Sequence, residues 1–466
     1  MVERCEGTPS APSRREPVAT TLHRIACKAR KEPAFRISSL FHLMNEELLR
    51  ECFAQLRGDA AAGIDGKSKA DYAENLEMNL AGLVKRLQRM GYRPQAVRRV
   101  YIPKPGSDKV RPLGIPALED KLVQTGMARI LEQIYEQDFI EDSYGFRPKR
   151  SCRDALRALS ETVESGRIEW IVEADIKGFF DDVDHDWLMR FLAHRIGDKR
   201  MLRMVKRFLK AGVMEEGKLY VSDEGVPQGG SISPLLSNVY LHYALDTWFE
   251  KGFRRVCDGA VRLIRYADDF VACFATEANA ERFHRDLITR LAQFGLEVEP
   301  TKTKVLAFGP NAGKRARQTG KKKPETFDFL GFTHYCSRAR KGKRFRMKRV
   351  TAHKKFCAKL VAIKEWLKEN RAEMTTRELW KKVCEKLRGH YGYYGVSDNS
   401  QGIIRFYNAV KKLLHKWLNR RSQRKALTWE KFNLMDQRFP LPRPRITVNL
   451  FAWSKAPKQL DLYDCM

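Results

Sequence analysis

No run of about 18 consecutive apolar residues occurs in this 466-residue chain, so nothing in it reads as a membrane-spanning helix. The first 35 residues lack the apolar core of a secretory signal, and Glu3, Glu6 and Glu16 among their arginines fit a transit peptide poorly. The ten cysteines form no CxxC pair, and no Cys/His spacing is of the zinc-finger kind. They read as reduced thiols of a cytoplasmic protein, and no structural zinc is expected. Internal repeats are absent. Acidic residues are scarce in one region only. Residues 301–466 carry 41 basic and 12 acidic side chains, a net of +29, whereas residues 1–300 carry 47 and 45, a net of +2.

A polycation of that density points to nucleic acid, because each neutralised phosphate releases counterions. An acidic membrane surface is the weaker alternative, since no lipidation signal or isolated basic amphipathic anchor accompanies the charge. At 43% hydrophobic residues the chain can build a large core in roughly two to four domains.

Residues 1 to about 35, rich in Pro, Ser, Thr and Arg, are expected to be flexible. A mostly helical region follows to about residue 93. VRRVYIPKPGSDKVRPLGIP reads as a hairpin around Pro-Gly-Ser-Asp, and ALEDKLVQTGMARILEQIYEQDF as an amphipathic helix. WIVEADIKGFFDDVDH begins as a buried strand. GVPQGGSISPLLSNVYLHYALDTWF starts as a Gly-rich turn and becomes a helix. NAERFHRDLITRLAQFGLEVE is a helix followed by a strand. Residues 309–349 are expected as an exposed basic loop flanking one short strand, FDFLGFTHY. Farther on, Thr375 and Glu378 form a candidate capping box. Ile403, Phe406, Tyr407, Val410, Leu414 and Trp417 make a helical stripe expected to be core.

The most informative stretch is YADD, residues 266–269, within VRLIRYADDFVACF. Two apolar runs joined by an acidic turn set Asp268 and Asp269 at a hairpin tip. Adjacent carboxylates repel unless a cation lies between them, and a hard divalent ion bound with substrate phosphates is the natural partner. Such a pair alone is more often a plain turn than a metal site. The strand-helix-hairpin-helix-strand order resembles a ferredoxin-like split βαβ unit, which would bring Asp175 beside Asp268 and Asp269.

Taken in order, the motifs AAGIDG, IPKPGSDKVRPLGIP, YGFRPKRSC, ADIKGFFDDVDH, GVPQGGSISPLLSNVYL, YADDF, GLEVEPTKTK, FLGF, LRGHYGYYG and LNRRSQRKALTWEKF resemble the reverse transcriptases encoded in group II introns, the maturases. The resemblance runs from about residue 40 to residue 445. It implies an α+β right-hand polymerase followed by an all-α basic region. Residues 1–35 would be a flexible segment, 36–165 the fingers, 166–340 a ferredoxin-like palm, 341–425 the thumb or maturase domain, and 426–466 a short nucleic-acid-binding element.

The same resemblance implies the site. Asp175, Asp268 and Asp269 would hold two Mg²⁺ ions, with Mn²⁺ as a substitute and the Ile176 carbonyl as a further ligand. Phe180 would lie under the sugar and exclude a 2′-hydroxyl, although core packing is its rival reading and Phe179 its neighbour. Lys104 and Arg111 would reach the triphosphate. Gln228, in the PQGG turn, would contact the nascent pair. Lys302 would act as general acid toward pyrophosphate if its pKa falls, with Lys304 an equally basic neighbour. Asp181, Asp182, Asp184 and Asp186 read as a surface acidic loop. His390, Tyr391, Tyr393 and Tyr394 suit base stacking, with packing between helices at least as good a reading.

Implied partners are group II intron RNA, an RNA template with DNA primer, target DNA and dNTPs, with no membrane. The oligomeric state is not readable. The implied setting is the bacterial cytoplasm or nucleoid, as a ribonucleoprotein. A carboxy-terminal HNH endonuclease is not expected after residue 445. Two other readings stay open: a reverse transcriptase serving repair, defence or diversification outside introns, and a splicing cofactor without polymerase activity. The retained aspartates argue against the second.

Overall fold

The computed structural model describes residues 17–103, 110–221, 224–339, 344–421 and 427–451. They divide into two compact units. One comprises residues up to 100, 113–139 and 183–240; the other comprises 101–112, 140–182 and everything from 241.

In the first unit the long helix Leu118–Asp138 buries Leu122, Met127, Leu131 and Ile134. Against it packs a helix at Val18–Lys31, where the sequence led us to expect a flexible segment. Val18, Leu22 and Ala29 supply its buried face, and Pro17 precedes its first turn without needing an amide hydrogen. Its open carboxyl end is closed from outside the segment. The buried Arg195 guanidinium donates to the carbonyls of Ala29, Glu32, Pro33 and Phe35 while pairing with Asp138 at 2.8 Å. Helix-end carbonyls lack partners of their own, so a distant arginine can hold such a helix in place.

The Pro-Gln-Gly-Gly turn lies in the same unit. The Gly114 amide donates to the Gln228 carbonyl at 2.6 Å. Gly229 has φ 113°, and a Cβ there would run into the Gly114 carbonyl oxygen, so only glycine fits.

The second unit is built on the strand Trp170–Lys177. On one side it pairs antiparallel with Asp269–Phe274, which pairs in turn with Val261–Tyr266. On the other it pairs with Glu297–Val298 and Lys304–Ala307. Along the central strand Val172, Ala174 and Ile176 bury one face, while Glu173 and Asp175 alternate with them on the other, partly open face. The helix Glu277–Ala292 covers the sheet with Phe283, Leu287 and Leu291.

Residues 309–349, expected as a basic loop, are largely structured. The helix Ala312–Gln318 is followed by a three-stranded antiparallel sheet of Thr326–Phe329, Phe332–Arg338 and Phe345–Thr351. FDFLGFTHY is thus a hairpin rather than one strand. Leu330 and Gly331 form its two-residue loop, with φ of 50° and 78°, the geometry that matches strand twist. Long basic side chains hid the alternation: Met347, Arg349 and Thr351 point inward while Arg346 and Lys348 stay partly exposed.

Helices His353–Asn370, Thr376–Tyr394, Ser400–Asn419 and Trp429–Arg438 complete this unit. The capping box at Thr375 forms, and the stripe from Ile403 to Trp417 is core apart from the half-buried Tyr407. His390 lies flat on Phe406 at 3.6 Å, buried with Tyr391 and Tyr394. Those three rings pack; they are not free to stack on bases. Burial drives the His390 pKa down to about 3, so it is neutral.

Candidate active site

Strand register gathers the carboxylates. Asp175 stands directly across from Asp269 in the antiparallel pair, and Asp268 precedes Asp269 in the turn. Tyr266 pairs with Asp269, so Ala267 and Asp268 alone form the loop. Ala267 is held at φ 58°, a left-handed conformation that costs a non-glycine residue about 1–2 kcal/mol.

Three contacts hold that strained turn. Arg265 Nη1 donates to the Ala267 carbonyl at 2.9 Å. Its other nitrogens form a two-pronged pair with Asp246, at 2.8 and 2.6 Å, and both side chains are fully buried. Asp246 comes from a π-helical turn, His242–Asp246, which widens the helix where this carboxylate emerges. Finally, Gly145 of the YGF motif lies so near the Ala267 amide that a Cβ could not be accommodated.

A second turn reaches the site. The Leu330 amide donates to Asp269 Oδ2 at 3.5 Å. The Leu330 carbonyl accepts from the Tyr393 hydroxyl at 2.9 Å, and the Phe332 ring lies nearly parallel to the Tyr393 ring.

Burial raises the pKa of Asp268, with Asp175 adding to the rise while Arg111 and Arg265 oppose it. Asp269 is pushed up to about 7, first by burial and then by Asp268, Asp175 and Glu173. Glu173, two residues before Asp175 on the strand, also rises to about 7, mainly through burial. Lys302 forms an ion pair with Asp175, and that hydrogen bond raises its pKa. This corrects the condition set above for a general acid, a lowered lysine pKa: with Asp175 as counter-ion, the ammonium is held charged. Lys304 is distinguished from Lys302 because its strand position faces Glu173.

The remaining expectations fall as follows. Ile176 is buried and pairs with Val298. Phe179 is buried, whereas Phe180 is half-exposed and meets Phe179 edge-on at 5.4 Å. Arg111 is exposed on the strand Val110–Ile115 and acts on Asp268 electrostatically. Lys104 lies outside the described residues. Gln228 belongs to the first unit, not to the unit of the carboxylates. Asp184 is a helix cap, accepting from the Trp187 amide at 2.7 Å. Glu173, Asp246, Arg265 and Leu330 were missed by sequence reasoning, as was the bond from the Tyr393 hydroxyl to Leu330.

Among the described residues no three His, Cys, Asp or Glu side chains already converge as a ready metal cage. The donors at the carboxylate cluster are nonetheless all oxygen. Asp268 and Asp269, buried with raised pKa, beside Asp175 paired with the Lys302 ammonium, suit a cation that arrives with substrate phosphates completing its shell.

Comparison with known proteins agrees with this geometry. A family model described as reverse transcriptase (RNA-dependent DNA polymerase) matches residues 102–334. A second, described as the group II intron maturase-specific domain, matches residues 354–434. Protein YkfC of Escherichia coli K12 is 36% identical over 296 residues, 56% of this chain and 77% of that protein. Group II intron-encoded protein LtrA of Lactococcus lactis subsp. cremoris is 46% identical over 166 residues, 36% of this chain and 27% of LtrA. An uncharacterized 91 kDa protein in the cob intron of Schizosaccharomyces pombe is 41% identical over 153 residues, 33% of this chain and 18% of that one. The chain belongs to the reverse transcriptase family, and within it to the group II intron-encoded reverse transcriptase/maturase branch. A mixed α/β polymerase domain is followed by a helical region, and no described helix is long and apolar enough to cross a membrane.

Proposed function

We propose that this chain copies its group II intron RNA into DNA by two-metal nucleotidyl transfer, and binds the same RNA to assist splicing. One observation carries the chemistry: Asp175 stands opposite Asp269, with Asp268 adjacent. The all-carboxylate donor set favours Mg²⁺, with Mn²⁺ as a substitute, over metals that prefer thiolate or imidazole. When bound, the ions would activate the primer 3′-hydroxyl and neutralise the leaving pyrophosphate.

The residues divide the remaining work. Asp175, Asp268 and Asp269 are the ligands, with the Ile176 carbonyl assisting. Lys302 balances Asp175 before substrate arrives, then turns its ammonium to the pyrophosphate and gives up a proton there. Lys104 and Arg111 bind the triphosphate, Phe180 excludes the 2′-hydroxyl, and Gln228 contacts the nascent pair. In this reading residues 36–165 are fingers, 166–340 palm, 341–425 thumb or maturase domain, and 426–466 a short nucleic-acid-binding element. The partners are intron RNA, an RNA template with DNA primer, target DNA and dNTPs. Retrohoming is the biological setting, in a bacterial cytoplasmic ribonucleoprotein.

Primer extension on an RNA template with dNTPs and Mg²⁺ tests the polymerase. Synthesis that disappears in Asp268→Ala/Asp269→Ala is the expected result. Synthesis unaffected by that change would remove the assignment of these carboxylates. Salt-sensitive RNA binding without any synthesis would favour the splicing cofactor.

A further inference from the structure

The helix Lys199–Leu209 has an unusually one-sided pattern. Met201, Met204, Val205, Phe208 and Leu209 bury one stripe, and the helix contains no acid. Asp198 caps it from outside. Burial alone would raise that carboxyl, but four backbone amides, from Phe41, Leu40, Met201 and Arg200, outweigh it and lower the pKa.

The outward side of this helix borders a hollow of about 420 Å³ lined by Arg93, Arg203, Lys206, Arg207 and Lys210, with no carboxylate in the lining. Arg207 is fixed in place, since its guanidinium donates to the carbonyls of Met90 and Tyr92 at 2.8 and 2.9 Å. Its pKa is pressed down first by burial and then by Arg93 and Arg203. Arg93, Arg203 and Lys206 are exposed and have no ion-pair partner among the described residues. The helix dipole favours cations in the last turn, which accounts for Lys206 and Arg207 but not for Arg93 or Arg203.

This cluster sits within residues 1–300, whose net charge is only +2. It is therefore a local accumulation against a balanced background, not an extension of the basic carboxy-terminal third. Five cations held around one hollow repel each other unless a polyanion fills it. Arginine forks and lysine ammoniums together suit a phosphodiester backbone.

We infer that the hollow bordered by Arg93, Arg203, Lys206, Arg207 and Lys210 is a second RNA-binding surface, gripping the phosphate backbone independently of base sequence. It rests on the RNA-binding reading above, which selects RNA as the polyanion.

The test uses the full chain and a labelled RNA hairpin, with affinity followed through a salt titration. In Arg93→Gln/Arg203→Gln/Lys206→Gln the slope of log K against log salt becomes shallower by about 2, on the order of 0.7 for each phosphate left unneutralised. Arg207 is left intact because it supports the fold. The conservative triple variant Arg93→Lys/Arg203→Lys/Lys206→Arg retains the slope, and an unchanged melting temperature shows that folding is not the cause. A slope that does not move on RNA, or one that moves on duplex DNA alone, overturns the inference. If the unsubstituted chain extends a primer and binds RNA while the slope stays fixed, this surface fails alone. If it neither extends nor binds, the proposed function fails with it.

Discussion

Two short hairpin turns flank Asp269, and they are secured in opposite ways. The turn of Ala267 and Asp268 is held from beneath, by the fully buried pair of Arg265 and Asp246. The turn of Leu330 and Gly331 is held from outside, by the hydroxyl of Tyr393 on the helix Thr376–Tyr394. Both carry a non-glycine residue in the left-handed region, Ala267 at 58° and Leu330 at 50°. The first support is charged, desolvated and local to the polymerase fold. The second is one neutral hydrogen bond reaching in from the helical region. Strain of the same kind is thus held in one turn by a buried charged pair and in the other by a neutral hydrogen bond.

Replacing Asp246 tests the first support, and the largest effect is expected there. Asp246→Ala leaves Arg265 charged and buried without its partner, a loss of about 3–5 kcal/mol. Chemical denaturation should record it, together with weakened primer extension. A loss below about 1 kcal/mol would mean that the pair does not anchor the turn.

Acidity offers the next test. Asp269 has an ordinary value of 3.8 and a folded value of about 7. Below pH 3.8 both states hold the proton. Between those values the folded state keeps a proton that the unfolded state has released, so stability falls as pH rises. Above about 7 the deficit is constant. Metal-free protein should therefore melt at a lower temperature at pH 8 than at pH 5, and Asp269→Asn should flatten the trend. Glu173 leaves a residual slope of the same sign. Added Mg²⁺ should restore the melting temperature at high pH; a profile indifferent to both changes would contradict the burial of this carboxylate.

Substitutions within the loops come third. Ala267→Val forces a branched side chain into a left-handed conformation and should cost about 2 kcal/mol, whereas Ala267→Gly should stay within about 1 kcal/mol of the parent. Leu330→Gly should behave differently from Ala267→Gly, because Leu330 is buried and its removal costs about 2 kcal/mol or more. Equal responses to glycine at the two positions would erase the contrast. The smallest change is expected from Tyr393→Phe, which removes one neutral hydrogen bond worth about 1 kcal/mol. Its mark should be a several-fold loss of extension rate with little change in melting temperature.

The carboxylate cluster was legible because its information is short-ranged. An apolar run on either side of YADD sets the hairpin, and the element order sets Asp175 on the neighbouring strand. Asp246 was not legible. It lies in LHYALDTWF, a helix on any pattern, and its partner is 19 residues away on a strand. The amino-terminal helix was hidden for a similar reason: Arg195, which closes its end, is 166 residues from Ala29. The FLGF hairpin was masked by a composition rule, since a Lys- and Arg-rich segment reads as loop even when alternate residues point inward. For His390, Tyr391 and Tyr394 the sequence left stacking and packing both open, because aromatic rings between cations serve binding and packing alike, and only depth separates the two.

The Tyr393 contact also bears on how such a gene can be divided. The hydroxyl that steadies the loop at Leu330 belongs to a helix within the segment matched as maturase-specific, residues 354–434. Ile171, Ile264 and Val271 of the polymerase sheet share one continuous core with Leu379, Val383 and Phe406 of the helices. A descendant that discarded the segment matched as maturase-specific would lose part of the wall of its polymerase sheet, so the two segments are hard to inherit apart.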